Sequence, residues 1–262
     1  MSELLQTMVE AALGAGRILK QARLDGPAWV HEKGENDFVT AADKACEEHI
    51  LTRLAMNYPH IPMLAEEGSG GASGEEGLFW CVDPLDGTNN FVHGLPVYCV
   101  SIGLIQDGRP HLGVVYDPVH DELFTGGQGQ EAKMNARPIC TSRRRSLEGA
   151  FVATGFPFKE LAHLDDYIEG FRKIAMATAG IRRCGAAAID LCWTACGRFD
   201  GFWERGLWPW DTAAAAAILR AAGGELTDFA GGDSFLFGRT VVAGATPEFC
   251  AALRGMAWPN HG

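Results

Sequence analysis

The stretch "FWCVDPLDGTNNFVHGLP", Phe79 to Pro96, limits what this chain can fold into more than any other. The apolar run Leu78 to Val82 leads straight into Asp83, and a second aspartate, Asp86, stands three positions on. A short apolar run bounded by turn residues reads as a buried strand. Asp83 then ends that strand, and burying like charges together is costly unless they are neutralised. Hard divalent cations with oxygen ligands do this, and Mg²⁺ takes few carboxylates plus waters and substrate phosphate. Two such ions about 3.5–4 Å apart can clamp the attacking and leaving oxygens of an in-line displacement. A plain turn at Asp83-Pro84-Leu85-Asp86-Gly87 is the structural alternative. The apolar approach argues against it.

Three further places gather acids beside turn residues: "DFVTAAD" (37–43), "LAEEGS" (64–69) and "WPWDTAA" (208–214). Each also has a structural explanation. Thr40 and Asp43 make a capping box for a following helix. Asp211 can serve as the N-cap of an Ala-rich helix. Glu66 and Glu67 can be a solvated pair in a Gly-rich loop. Two rival motifs fail on spacing. An EF-hand needs acids at loop positions 1, 3 and 5 with Gly at 6, whereas the acids here stand three apart with Gly87 directly after the second. Haloacid-dehalogenase-type phosphatases carry a nucleophilic Asp two residues before the Asp-Gly-Thr. Position 84 is Pro, so a covalent aspartyl-phosphate is not expected.

The 262 residues, 47% hydrophobic and 21% charged, suffice for one large domain or two tightly packed lobes. A net charge of −11 makes a poor generic binder of nucleic acid or anionic membrane, so an anionic ligand needs a cation to mediate it. The eight cysteines form no C-x-x-C pair, and no Cys/His spacing matches a structural zinc site. They read as reduced, largely buried thiols of a cytoplasmic protein. Glu3 and Glu10 replace the basic start of a signal peptide, and no 18-residue apolar run occurs.

Helical spacing covers 3–23 and 41–57, and 66–77 is a Gly-rich loop. Strand-like runs at 79–83, 97–105, 111–117 and 121–125 predict an antiparallel sheet. Helices are expected at 161–177, 186–196, 211–222 and 247–255, with strands at 199–204, "ELTDF" and "TVVAGA". The fold class is α+β in stacked layers. The chain is expected to be one domain over 1–262, in two packed halves of about 1–145 and 146–262.

These acid motifs, with "RRCGAAAIDLC" and "GRFDGFWERGLWPWDTAAAAAILRAAGG", resemble the inositol monophosphatase family of Mg²⁺-dependent, lithium-sensitive phosphatases. The matching segments keep the family's order over most of residues 33–224. The resemblance implies an αβαβα sandwich of the inositol monophosphatase/fructose bisphosphatase type. It implies hydrolysis of a phosphate monoester, inositol 1-phosphate first, with two to three Mg²⁺ ions. Glu66, Asp83 and the Leu85 carbonyl would hold one ion; Asp83, Asp86 and Asp211 a second; a weaker third would lean on Glu66. Thr88, bonded to Asp43, would position the attacking water. Gly87 and Thr88 N–H groups would hold phosphate oxygens, with Asp86 and Asp211 beside the substrate. Gly185, Ala186 and Glu204 would contact the alcohol, and Lys33 matches a mobile lysine near the site. A homodimer is implied too.

On the same acids, histidinol-phosphate, 3′-phosphoadenosine-5′-phosphate and fructose-1,6-bisphosphate are alternative substrates. A regulatory partner of the transcription machinery is the alternative of another class, with "SRRRS" (142–146) its one hint. His93 reads as a loop-end hydrogen bonder rather than a Mg²⁺ ligand. Trp203, Trp208 and Trp210, which flank Asp211, read as core or interface packing, with pocket lining as the alternative. Ser69 and Ser101 lack the surroundings of a nucleophile.

Overall fold

The computed structural model describes residues 2–26, 30–34, 37–68, 76–157 and 161–258, with backbone alone for 30–34 and 37–40. The Lys33 and Thr40 side chains and Ser69 therefore lie outside the described residues. Helices α1 (Glu3–Asp25) and α2 (Ala41–Asn57) form an outer layer, joined through a hairpin of β1 (Val30–Gly34) and β2 (Asp37–Thr40). They pack on a seven-stranded sheet: β3 (Met63–Ala65), β4 (Leu78–Asp86), β5 (Cys99–Gln106), β6 (Arg109–Asp117), β7 (Glu122–Gly127), β8 (Gln130–Met134) and β9 (Arg137–Pro138), neighbours in chain order. The sheet is antiparallel except where β3 runs parallel to β4. A short helix, α3 (Thr88–His93), follows β4.

The second half supplies β10 (Phe151–Thr154), α4 (Leu164–Ala177), β11 (Gly180–Arg182), α5 (Ala187–Ala195), β12 (Gly201–Arg205), α6 (Pro209–Ala221), β13 (Glu225–Thr227), β14 (Thr240–Gly244) and α7 (Pro247–Ala257). Its five strands are ordered β11-β10-β12-β14-β13. Helices α5 and α6 lie between the two sheets, and α4 with α7 covers the outer face of the second. The layers thus run α, β, α, β, α. The α+β expectation holds.

Strand β4 shows how the layers are separated. Successive side chains of a strand face opposite sides. Trp80 and Val82 enter a core with Met8, Leu19 and Ile50 of the outer helices. Phe79 and Cys81 enter the central core beside the alanines of α6. The run Ala213 to Ala217 is buried, and its small side chains let α6 lie close on the sheet. Glycines of the sheet complete that approach. A Cβ on Gly103 would stand 3.0 Å from the Ala213 Cβ and the Ala214 nitrogen, and one on Gly113 would overlap the Ala214 carbonyl.

All the helices and strands expected from periodicity are present. The pattern did not anticipate the β1–β2 hairpin, β3, α3, or β8 to β11. Most are short, and β3 and β11 have three residues each, too few for a period to register. Helix α3 hides in turn-forming residues, "TNNFVH". All eight cysteines are free, and among the described residues no helix is long and apolar enough to cross a membrane.

Gly113→Ala forces a methyl group into the α6 backbone. It is expected to cost about 3 kcal/mol, read as a lower urea midpoint at unchanged m-value. An unmoved midpoint would mean that α6 can back away freely.

Candidate active site

Asp83 and Asp86 stand an odd number of residues apart, so a regular strand would send them to opposite faces. Strand β4 avoids this with a bulge. Asp83 pairs with Ser101 and Asp86 with Cys99, so β4 holds one residue more than β5 over that interval. Both aspartates therefore face the central helical layer, while Leu85 packs into the outer core. Pro84 sits inside the bulge, where a residue without an N–H is tolerated. The Asp83 Oδ1 accepts the Leu85 N–H at 2.9 Å and fixes the turn.

Four other elements bring their ends to the same point. Strand β3 pairs Ala65 with Val82, and the Glu66 N–H donates to the Val82 carbonyl, which sets Glu66 beside Asp83. Helix α5 begins here, and the Ala188 N–H donates to Asp86 Oδ2 at 2.7 Å, placing that carboxylate at a helix N-terminus. Helix α6 begins here too. Asp211 lies in its first turn, inside the helix rather than at the N-cap, and its Oδ2 accepts the Trp208 N–H at 2.7 Å. Helix α2 supplies Asp43, which is buried. The Thr88 hydroxyl lies 3.3 Å from Asp43 Oδ1 and 3.0 Å from the Leu85 carbonyl. Gly87, before it, is left-handed at φ 92° and sits 3.0 Å (by its missing Cβ) from the Val97 carbonyl, so only glycine fits.

The acids disturb one another. Burial first, then the charge of Asp211, pushes the Glu66 carboxyl up to about 8. Burial and the charges of Glu66, Asp86 and Asp211 push Asp83 well above the carboxylate range. Burial pushes Asp86 up to about 7 against the hydrogen bond from Ala188. Asp83 and Glu66 lie close enough for each to act on the other's proton affinity. Among the described residues no three acidic, histidine or cysteine side chains are already arranged to hold an ion. The donor set still fits a hard divalent cation: it is all oxygen, it includes the Leu85 carbonyl, and its raised carboxyls mark a shortage of positive charge.

A cavity of about 150 Å³ opens from Glu66, Asp86 and Asp211. Its far wall holds Glu204, Arg183 and Gly185, with Phe156, Pro157, Leu207 and Trp208 around the opening. Ala186 lies beneath, buried against Gly87. Burial and the charge of Asp190 push Glu204 up, against the opposing charge of Arg183.

Several residues missed by the sequence reading matter here. Asn90, inside the quoted motif, donates to Val97 and Cys184 carbonyls at 2.7 and 2.9 Å, tying α3 to the loop of Gly185. Glu47, one turn after Asp43 on α2, accepts the Glu67 N–H at 2.9 Å, so the Glu66–Glu67 segment is anchored rather than simply solvated. That helical spacing was a readable signal. Asp190 is buried with one oxygen unpartnered, and Arg183 lies opposite Glu204. Trp208 lines the cavity and stacks on Trp210 at 5.4 Å, whereas Trp203 is core. Ser101 is structural, bonded to the Trp210 carbonyl, and His93 is exposed at the end of α3. Within "SRRRS", Arg144 pairs with Asp200 at 3.1 Å.

A layered fold whose sheet ends and helix starts converge on buried carboxylates defines a phosphatase class, and the comparisons agree. The inositol monophosphatase family matches residues 1–258. Nus factor SuhB of Pseudomonas aeruginosa is 44% identical over 260 residues, covering 97% of this chain and 95% of that protein. The crystal structure of extragenic suppressor protein suhB from Bartonella henselae superposes with a TM-score of 0.92 at 38% identity, covering 100% of both chains. The inositol monophosphatase structure from Anabaena (Nostoc) sp. PCC 7120 gives 0.86 at 38% identity, covering 96% and 94%. This chain belongs to the inositol monophosphatase family, whose members are generally Mg²⁺-dependent.

The raised carboxyls make a pH prediction for protein kept in EDTA. Glu66 rises from 4.5 to about 8 and Asp86 from 3.8 to about 7 on folding, so the fold holds protons that the unfolded chain releases. Their contribution is complete below about pH 4 and is lost as the pH rises through 7 to 8. The Tm advantage of Glu66→Gln over wild type should therefore grow between pH 5 and pH 8. A constant difference would show that Glu66 is ionised throughout.

Proposed function

We propose that this chain is a Mg²⁺-dependent phosphate monoester hydrolase whose preferred substrate is an inositol monophosphate. The observation that carries this reading is the convergence of Glu66, Asp86 and Asp211, short of positive charge, on one cavity with Asp83 buried beside them. Glu66, Asp83 and the Leu85 carbonyl would hold one ion, and Asp83, Asp86 and Asp211 another. When bound, Mg²⁺ supplies the positive charge that phosphoryl transfer demands at the transferred oxygens. The chain's own groups orient and exclude. Thr88 Oγ1 donates to Asp43, which leaves its lone pairs to accept from a water and aim it at phosphorus. Glu66 stands on the same side as a second acceptor. The Gly87 and Thr88 N–H groups face the phosphate oxygens. Gly185, Ala186 and Glu204 receive the alcohol, which leaves as the ester P–O bond breaks. Pro84 in place of a nucleophile fits direct attack by water.

We further take the chain to work as one domain of two packed halves, as a cytoplasmic homodimer. Histidinol-phosphate, 3′-phosphoadenosine-5′-phosphate and fructose-1,6-bisphosphate are the competing substrates. A panel ranked by kcat/KM, with and without Mg²⁺ and Li⁺, separates them. No phosphate released from inositol 1-phosphate with Mg²⁺ present would refute the substrate assignment.

Asp86→Asn and Asp211→Asn should each lower kcat roughly a hundredfold or more while the protein stays folded by circular dichroism. Thr88→Ala should lower kcat about a hundredfold with little change in KM. Full activity in any of the three removes that residue from the assignment.

A second reading, a regulatory partner of the transcription machinery, is favoured by one observation: the similar P. aeruginosa protein is a Nus factor. Capture of such partners by the Asp86→Asn variant as well as by wild type would support a role independent of hydrolysis.

A further inference from the structure

Strand β10 runs parallel to β12, with Ala153 opposite Phe202 and Thr154 opposite Trp203. One step further, Gly155 stands beside Glu204. The Thr154 hydroxyl lies 2.9 Å from the Trp203 carbonyl and holds the two strands together at this point. Gly155 is buried. A Cβ built on it would overlap the carboxyl carbon and both carboxyl oxygens of Glu204. The Glu204 carboxyl is thus folded across the neighbouring strand onto the bare Cα of Gly155.

The backbone does not explain this glycine. Its φ lies outside the left-handed region, so an alanine would be unstrained there. What a side chain would lack is space, and Glu204 takes that space. Glu204 also forms the far wall of the cavity that begins at Asp86 and Asp211, and Phe156 and Pro157, which follow Gly155, line the same cavity.

We infer that Gly155 is a specificity-determining positioning residue: by yielding its side-chain volume to the Glu204 carboxyl, it sets the room left for the leaving alcohol of a polyol phosphate. This rests on the proposed reading that Glu204 faces that alcohol. The three atoms nearest a methyl group at 155 all belong to the Glu204 carboxyl, the far end of a flexible side chain that also lines the cavity. The phosphate end, carried by β4, α5 and α6, is left as it was.

The test is Gly155→Ala assayed with Mg²⁺ on inositol 1-phosphate, alongside inhibition by inorganic phosphate, which reaches only the acidic end. KM for inositol 1-phosphate should rise about tenfold, with kcat and the phosphate inhibition constant within about twofold. The same substitution made in a Glu204→Ala background should change KM no further. An unchanged KM overturns the inference. So does a phosphate inhibition constant that rises with KM, or a Gly155→Ala effect that persists without Glu204. If Gly155→Ala alone does not fold, the double variant decides: a folded Gly155→Ala/Glu204→Ala protein supports shared space, and an unfolded one refutes it. Wild-type protein inert toward inositol 1-phosphate sinks the substrate reading itself, and that result is visible before any variant is made.

Discussion

Mutual repulsion among Glu66, Asp83, Asp86 and Asp211 is the constraint around which the architecture is arranged. Glu66, Asp83 and Asp86, whose affinity for protons is raised by burial and by the charge of neighbouring acids, do not gather beside Asp211 without strong scaffolding. Three elements carry them, β4 both Asp83 and Asp86, the end of β3 Glu66 and the start of α6 Asp211, and each terminates at the site. Strand β4 ends in the bulge that turns both aspartates the same way. Strand β3 adds Glu66 through the one parallel pairing of its sheet. Helices α5 and α6 bring their N-termini, whose partial positive charge favours carboxylates. A five-layer sandwich, with a helical layer between two sheets, is a way to aim a strand end and two helix starts at one point.

That aim is then locked by hydrogen bonds and packing around the cluster. Asn90 spends both amide hydrogens on the Val97 and Cys184 carbonyls, so the loop carrying Gly185 moves with α3. Glu47 fixes the Glu67 amide, and Asp43 lies within reach of Thr88. The close approach of α6 to Gly103 and Gly113 fixes the height of Asp211 above the sheet. None of these residues needs to meet substrate. They hold a repulsive cluster in place, and the cost of keeping them rigid is borne by packing elsewhere in the central core.

The strong signals in the sequence were those with a clear period or a clear contradiction. Helices α1, α2 and α6 and the strands β4 to β7 follow from apolar spacing. The acidic site follows from an apolar run that ends in two aspartates. The bulge was not legible, because nothing in "VDPLD" beyond Pro84 distinguishes an extra residue from a turn. Strand β3 was masked by its three-residue length, although it alone explains why Glu66 belongs to the site. The alcohol end was harder still. Gly155, Arg183 and Asp190 are common residues in unremarkable contexts, and only the pairing of β10 with β12 puts Gly155 beside Glu204.

This difference in legibility has a physical origin. On the proposed reading the phosphate end is drawn from β3, β4, α5 and α6, where every change meets a buried charge or the packed central helices. The end proposed for the alcohol is built from Glu204, near the end of the central strand β12, and from loops that carry Phe156, Arg183 and Trp208. There Phe156 and Trp208 can be exchanged without exposing an uncompensated carboxyl, whereas Arg183 opposes the charge of Glu204. A fold divided in this way can keep one phosphoryl-transfer site and vary the alcohol it accepts, because the two ends share a cavity but not a scaffold. Glu204 stands at the join. Its carboxyl is raised by burial and by Asp190 and restrained by Arg183, and it is seated on the glycine that follows the neighbouring strand. The position of that one side chain therefore couples the shape of the alcohol end to the sheet beneath it, while the acids at the other end keep their places.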